Sequence, residues 1–185
     1  MYFHILRGRI LEIGIGTGPN LRYYHSKSIV EVIGLDPDRN IENRARSSAT
    51  SAGFPPSKFK FIHGVGEAIP LSDASVDAVV GTLVLCSVKD VDVTLKEIKR
   101  VLRPGGLYVF VEHVGAKDRK MLRIVQTILN PVSKKFCGWC HLNRDIGGNI
   151  CRAGFSSVEQ NMAYVTSSEL RNPLENPIVY GMAYK

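Results

Sequence analysis

Three glycines at alternate positions constrain this chain more than any other feature: Gly14, Gly16 and Gly18 in the run Leu11-Glu12-Ile13-Gly14-Ile15-Gly16-Thr17-Gly18-Pro19-Asn20. Glycine takes positive φ at little cost, and it lets another molecule approach the main chain where any Cβ would intrude. The loop follows an apolar segment, Arg9 to Ile13, that reads as a strand, and a helix is expected to begin near Asn20. Strand, glycine loop and helix in that order predict a ligand lying across the loop. The spacing is Gly-x-Gly-x-Gly, with Pro19 where a dinucleotide fingerprint has its third glycine. Asp36 then closes the second strand, about 20 residues onward, where such folds place an acid that accepts from ribose hydroxyls.

The rest of the chain repeats the alternation of strand and helix, which predicts a parallel sheet of βα units. After Arg9 to Ile13, strands are expected at Ser28 to Leu35, Lys60 to His63, Ser75 to Val84 and Leu107 to His113. The run Val76, Ala78, Val79, Val80 suits a strand buried on both faces. Helices are expected at Asn40 to Ala52, at Val91 to Leu102 with Val91, Leu95, Ile98 and Leu102 on one apolar face, and at Lys117 to Phe136 with a break at Pro131. Arg103-Pro104-Gly105-Gly106 reads as the stop between helix and fifth strand. Ser156 to Tyr164 and Pro177 to Lys185 read as two more strands, and their short connection favours an antiparallel pair at one sheet edge.

Composition narrows the function without naming it. One domain is expected from 185 residues, of which 44% are hydrophobic, and the net charge of +7 leaves the partner open. The longest apolar stretch, Ala78 to Cys86, is far short of the ~20 residues of a spanning helix. The opening Met1 to Arg9 lacks the apolar core and cleavage site of a secretory signal, so a cytoplasmic location is expected, or an organelle or membrane for a form with a longer amino terminus. Lys117 to Lys135 sets Lys117, Arg119, Lys120, Arg123, Lys134 and Lys135 beside Met121, Leu122, Ile124, Val125, Ile128 and Leu129. That pattern reads as a surface helix, and membrane contact is its alternative.

These motifs together resemble the class I S-adenosylmethionine-dependent methyltransferases. Glu12 to Gly18 resembles their first motif, Gly34-Leu35-Asp36 the acid of the second strand, and Gly64-Val65-Gly66-Glu67-Ala68-Ile69-Pro70-Leu71 the segment along the adenine. Ser75 to Val80 and Arg100 to Gly106 resemble the fourth strand and the turn before the fifth. Thr82-Leu83-Val84-Leu85-Cys86-Ser87-Val88, Arg103-Pro104-Gly105-Gly106 and Glu112-His113-Val114 are similar to the methyltransferase-like seven group, whose members include thiol methyltransferases. The resemblance implies a Rossmann-like, doubly wound α/β sheet of seven strands, mostly parallel with an antiparallel edge strand. It also implies S-adenosyl-L-methionine as methyl donor, held by Glu12, Gly14, Gly16, Gly18, Asp36, Gly66, Glu67 and Thr82, and a small-molecule acceptor. Two departures stand out: Val65 replaces an acid that many such enzymes set against the adenine, and only Met1 to Gly8 precede the first strand. Helices at that point usually help to cover the donor, so an open pocket, weak donor binding and slow methylation are expected.

Methyl transfer from a sulfonium is an in-line displacement that asks the protein mainly for positioning. For a thiol acceptor the thiolate reacts, and His113, at the carboxyl edge of the sheet, is the candidate base; the bland alternative is a hydrogen-bonded strand-end histidine. Cys86 reads as a small buried hydrophobe. No metal is expected: Cys137-Gly138-Trp139-Cys140-His141 has no second pair, and Cys151 with His141 or His113 gives no regular ligand spacing. Those cysteines are expected to be thiols near the substrate mouth. A nucleic-acid methyltransferase is the runner-up. Against it, Gly81-Thr82-Leu83-Val84 lacks the Asn/Asp-Pro-Pro-aromatic signature for a flipped adenine, Cys86 has no preceding proline, and no aromatic-basic groove is evident, so no nucleic acid is expected as partner. A non-catalytic donor-binding domain is the third reading.

Overall fold

The computed structural model describes residues 2–136, 140–165 and 176–185. Seven strands form one sheet: β1 (Gly8–Ile13), β2 (Ile29–Asp36), β3 (Phe59–His63), β4 (Val76–Thr82), β5 (Leu102–His113), β6 (Ser157–Ala163) and β7 (Ile178–Tyr184). Their order is β3-β2-β1-β4-β5-β7-β6. The first five run parallel, while β7 pairs antiparallel with both β5 and β6. Chain order reverses between β1 and β4, so the loops after these two strands open on either side of a topological switch point, where doubly wound folds bind ligands.

Both faces of the sheet are covered, which is why its central strands are nearly continuous apolar runs. Leu11, Ile13, Val76 and Val79 face one core with α2 (Val91–Val101) and α4 (Ile146–Arg152). Ile10, Ala78 and Val80 face the other with Phe3, Leu6, Tyr24, Phe54 and the small residues Ala45 and Ala49 of α1 (Glu42–Ser51). Asp90 caps α2 by accepting from the backbone N–H of Asp92 and Val93.

The structure corrects three expectations. After the glycine loop there is a single 3₁₀ turn, Leu21–Tyr23, because Tyr24 is extended and its hydroxyl turns back to Glu12. Arg103 to Gly106 is a bulge inside β5: Val76 pairs with Leu102 and Ala78 with Leu107, and Gly105 takes φ +74°. Pro131 does not end α3 (Lys120–Phe136), whose outer face exposes Met121, Ile124, Ile128 and Val132. The short helix α4, started by the Asp145 side chain accepting from Gly148 N–H, has no counterpart in the sequence reading. Among the described residues no helix is long and apolar enough to cross a membrane.

Candidate active site

The glycine loop is built as its spacing requires. Gly14, Gly16 and Gly18 all take left-handed φ, at +64°, +55° and +80°. Gly14 and Ile15 N–H donate to Leu35 O at 2.8 and 3.2 Å, and Gly16 N–H donates to Asp36 Oδ2 at 3.0 Å. The second Asp36 oxygen accepts from Asp38 N–H at 3.0 Å, which orients the carboxylate at the end of β2. A Cβ added at Gly16 would meet nothing within 4 Å, so the main chain there faces space that a ligand can fill.

Glu12 is held inside the fold. Its carboxylate is buried, with Oε1 accepting from Asn20 Nδ2 at 2.8 Å and Oε2 from the Tyr24 hydroxyl at 2.6 Å. Asn20 Nδ2 also donates to Thr82 Oγ1 at 3.1 Å. Glu12 and Thr82 therefore clamp the loop to β1 and β4 through Asn20. Burial raises the Glu12 pKa to about 7, against the opposing effect of its two hydrogen bonds.

A cavity of about 700 Å³ opens beside this loop, within the range of small-molecule sites. Ile13, Gly14, Leu35, Pro37, Gly64, Val65, Gly66 and Glu67 line the side next to the loop, and Val84, Ser87, Val88, Lys89 and His141 the far side. Of the expected site residues, Gly14, Gly66 and Glu67 line it directly; Asp36 lies between the lining residues Leu35 and Pro37, and Gly18 borders a shallower pocket with Thr17, Arg22 and Arg44. Gly66 is needed for room, since a Cβ would lie 2.8 Å from Thr94 Cγ2. Glu67 Oε1 accepts from Lys89 and Asp90 N–H, joining the loop side of the cavity to the start of α2.

The far wall is a turn clamped from behind. Leu83 takes φ +52°, an uncommon conformation for a non-glycine residue and one found at functional sites. Glu112 Oε1 accepts from Val84 and Leu85 N–H at 3.1 and 3.0 Å. Burial raises the Glu112 pKa to about 7. From the other side, Arg144 Nη1 donates to Leu85 O and Val88 O at 2.7 Å each, and His141 N–H donates to Cys86 O at 2.9 Å. A lone arginine and a lone histidine in a loop carry no sequence signal, so neither Arg144 nor the cavity-lining His141 was expected at this wall.

His113 is buried behind that wall and does not line the cavity, with Nε2 3.1 Å from His141 O. Cys140 Sγ lies 3.3 Å from His113 Nε2, and Cys86 is buried beside both. Cys140 thus sits in the interior, away from a substrate mouth, while Cys137 is outside the described residues. The hydrogen bond with Cys140, together with burial, pushes the Cys86 thiol well above its ordinary pKa.

A doubly wound sheet with a glycine cradle and a facing carboxylate at its switch point defines the Rossmann-like, nucleotide-binding class of α/β proteins. The model of the methyltransferase domain family matches residues 11–110, more than half of the chain. A human thiol S-methyltransferase, TMT1A, is 36% identical over 178 residues, covering 95% of this chain and 70% of its own length. The thiol S-methyltransferase TMT1B of Rattus norvegicus is 38% identical over 151 residues, 81% of this chain and 61% of its own. An S-adenosylmethionine-dependent methyltransferase from Mesorhizobium loti has the same fold, with a TM-score of 0.70 at 22% identity, covering 96% of this chain and 90% of that one. The chain belongs to the methyltransferase domain family, and S-adenosylmethionine-dependent methyltransferases share its fold.

Proposed function

We propose that this protein methylates the sulfur of a small, largely apolar thiol. One observation carries the reading: the human thiol S-methyltransferase aligns over 95% of the chain, and so through the segments beyond residue 110 that build the acceptor wall. That wall offers Val84 and Val88 with Ser87 and His141, a surface suited to an apolar molecule with one polar end.

In this reading Gly14 to Gly18 face the amino-acid end of the donor, Asp36 the ribose, and Gly66 with Glu67 the adenine side. Glu12 and Thr82 position the loop through Asn20. The acceptor sulfur attacks the methyl carbon in line, a new carbon–sulfur bond forms as the sulfonium bond breaks, and S-adenosylhomocysteine departs. His141, at the cavity wall, takes the thiol proton, and His113 stands one layer behind it, against its carbonyl. Alkyl thiols are expected to turn over where the matching alcohols and amines do not; turnover of amines with no activity on thiols overturns the proposal.

Two binding measurements test the donor half separately. Asp36→Ala removes acceptors for the ribose hydroxyls and is expected to weaken S-adenosylmethionine binding by about 1 to 3 kcal/mol, or roughly 5- to 150-fold. Unchanged affinity in a folded Asp36→Ala variant would refute that placement. NAD is expected not to bind, since Pro19 occupies the place of the third fingerprint glycine. Micromolar NAD affinity by calorimetry would reassign the donor site.

A further inference from the structure

The reaction just described makes no use of the three side chains that meet behind the acceptor wall. Cys86 comes from the turn after β4, His113 from the end of β5 and Cys140 from the segment that returns after α3, and one ligand atom of each lies within 4.8 Å of the other two. All three residues are buried. Two sulfurs and an imidazole nitrogen are the donor set preferred by zinc and similar thiophilic cations.

The spacing fits such an ion. Zinc held at about 2.3 Å by thiolate and about 2.05 Å by imidazole in a tetrahedron puts S···N edges near ~3.6 Å and S···S edges near ~3.8 Å. Cys140 Sγ is 3.9 Å from His113 Nδ1, near that S···N edge, and 3.3 Å from Nε2. If Nε2 donates its hydrogen to His141 O, 3.1 Å away, the Nδ1 lone pair is left for the thiol side. Metal-bound histidines are commonly oriented in this way, the second ring nitrogen donating to a backbone carbonyl. Two thiolates, one neutral imidazole and one divalent cation sum to zero charge, which a buried site tolerates where two bare thiolates would be costly.

We propose that Cys86, His113 and Cys140 bind a single Zn2+ ion immediately behind the acceptor wall. Binding releases the two thiol protons to solvent and forms two Zn–S bonds and one Zn–N bond, with no change of oxidation state. Three protein ligands leave a fourth position for a non-protein ligand. The ion joins the 83–88 turn, the end of β5 and the loop at 140–144, three segments that otherwise meet through hydrogen bonds accepted by Glu112 and donated by His141 and Arg144. Sequence spacing could not show this, because the donors sit on three separate elements, with His113 and Cys140 27 residues apart.

The test is metal content in the full chain, purified without chelator and dialysed against metal-free buffer. About one zinc per chain is expected by mass spectrometry, kept in Cys151→Ser, whose cysteine is exposed, and lost in the Cys86→Ser/Cys140→Ser double variant. Cobalt added to the metal-free protein should give a near-ultraviolet thiolate charge-transfer band and the visible spectrum of four-coordinate cobalt. A folded wild-type chain that takes up neither ion overturns the proposal, as does a cobalt spectrum without the thiolate band or a Cys86–Cys140 disulfide in chain prepared without oxidant. If the double variant does not fold, peptide mapping of the wild type decides. Zinc should protect Cys86 and Cys140 from alkylation, and equal labelling with and without zinc refutes the site. None of these readouts depends on the identity of the methyl acceptor.

Discussion

Gly14→Val is expected to abolish measurable S-adenosylmethionine binding, while Gly16→Ala costs the folded protein much less. Both glycines are left-handed, so either side chain incurs roughly 1 to 2 kcal/mol of backbone strain. They differ in what a Cβ would meet. At Gly14 it would lie 2.5 Å from Val84 Cγ2, whereas at Gly16 nothing stands within 4 Å. Val84 cannot simply give way, because its N–H is bound to the buried Glu112 carboxylate. The clash therefore reaches from the donor loop to the acceptor wall, and donor affinity should fall by more than about 100-fold, roughly 3 kcal/mol. Thermal melts with and without S-adenosylhomocysteine, beside calorimetric titrations, measure both variants. Wild-type affinity in Gly14→Val would show that the loop and the turn move independently.

The second large effect is on pH dependence. Glu12 and Glu112 are fully buried carboxyls whose pKa values burial raises from 4.5 to about 7. A raised pKa means that the folded chain holds protons the unfolded chain has already released. Each group's contribution is therefore fully present below pH 4.5 and is lost as pH rises through about 7. Each is worth on the order of 3 kcal/mol. Glu97 and Asp145 act in the opposite sense, their pKa values lowered, the first by the Arg100 hydrogen bond and the second by Lys117 against an opposing desolvation. Both are partly exposed, and their contribution is lost only as pH falls below the ordinary carboxylate range. Denaturant titrations should thus show stability falling from pH 5 to pH 8, and Glu12→Gln should flatten that slope. A wild-type stability that climbs over this interval would contradict the burial of both acids.

How much of this was legible in the sequence depended on whether a residue acts through its neighbours in the chain or through distant ones. The glycine spacing carried a conformational demand that each position meets, and Asp36 stands where the second strand ends. Gly66 and Glu67 lie on the cavity for the same reason, since a short turn after β3 can only open at the carboxyl edge. Glu12 was legible as part of a motif but not as a clamp, because Tyr24 reaches it only where the expected helix gives way to one 3₁₀ turn. The acceptor side was the least legible. Glu112, Arg144 and His141 act on the 83–89 turn from separate elements, and no spacing along the chain encodes that meeting. His113 was found by its position at a strand end, but whether its ring faces the cavity or the interior is decided by Cys86, Cys140 and the His141 carbonyl.

The place of β7 sets an order on assembly. Strand β7, at 178–184, lies between β5 and β6, although both precede it in the chain. On a polypeptide emerging amino end first, β1 to β5 can pair while β6 still has no neighbour in the sheet. The half of the sheet that carries the glycine loop is then framed, and the outer edge of β5, ending in Glu112 and His113, remains bare until Val179 and Ile178 arrive opposite them. A bare edge of this kind invites pairing with other chains, and long-range closure is slow. Gly181 narrows the last step further, since any Cβ there would fall 2.0 Å from the Glu159 carbonyl oxygen as β6 docks. The strand order thus makes the last-synthesised strand the one that closes the edge of β5 and brings β6 into the sheet.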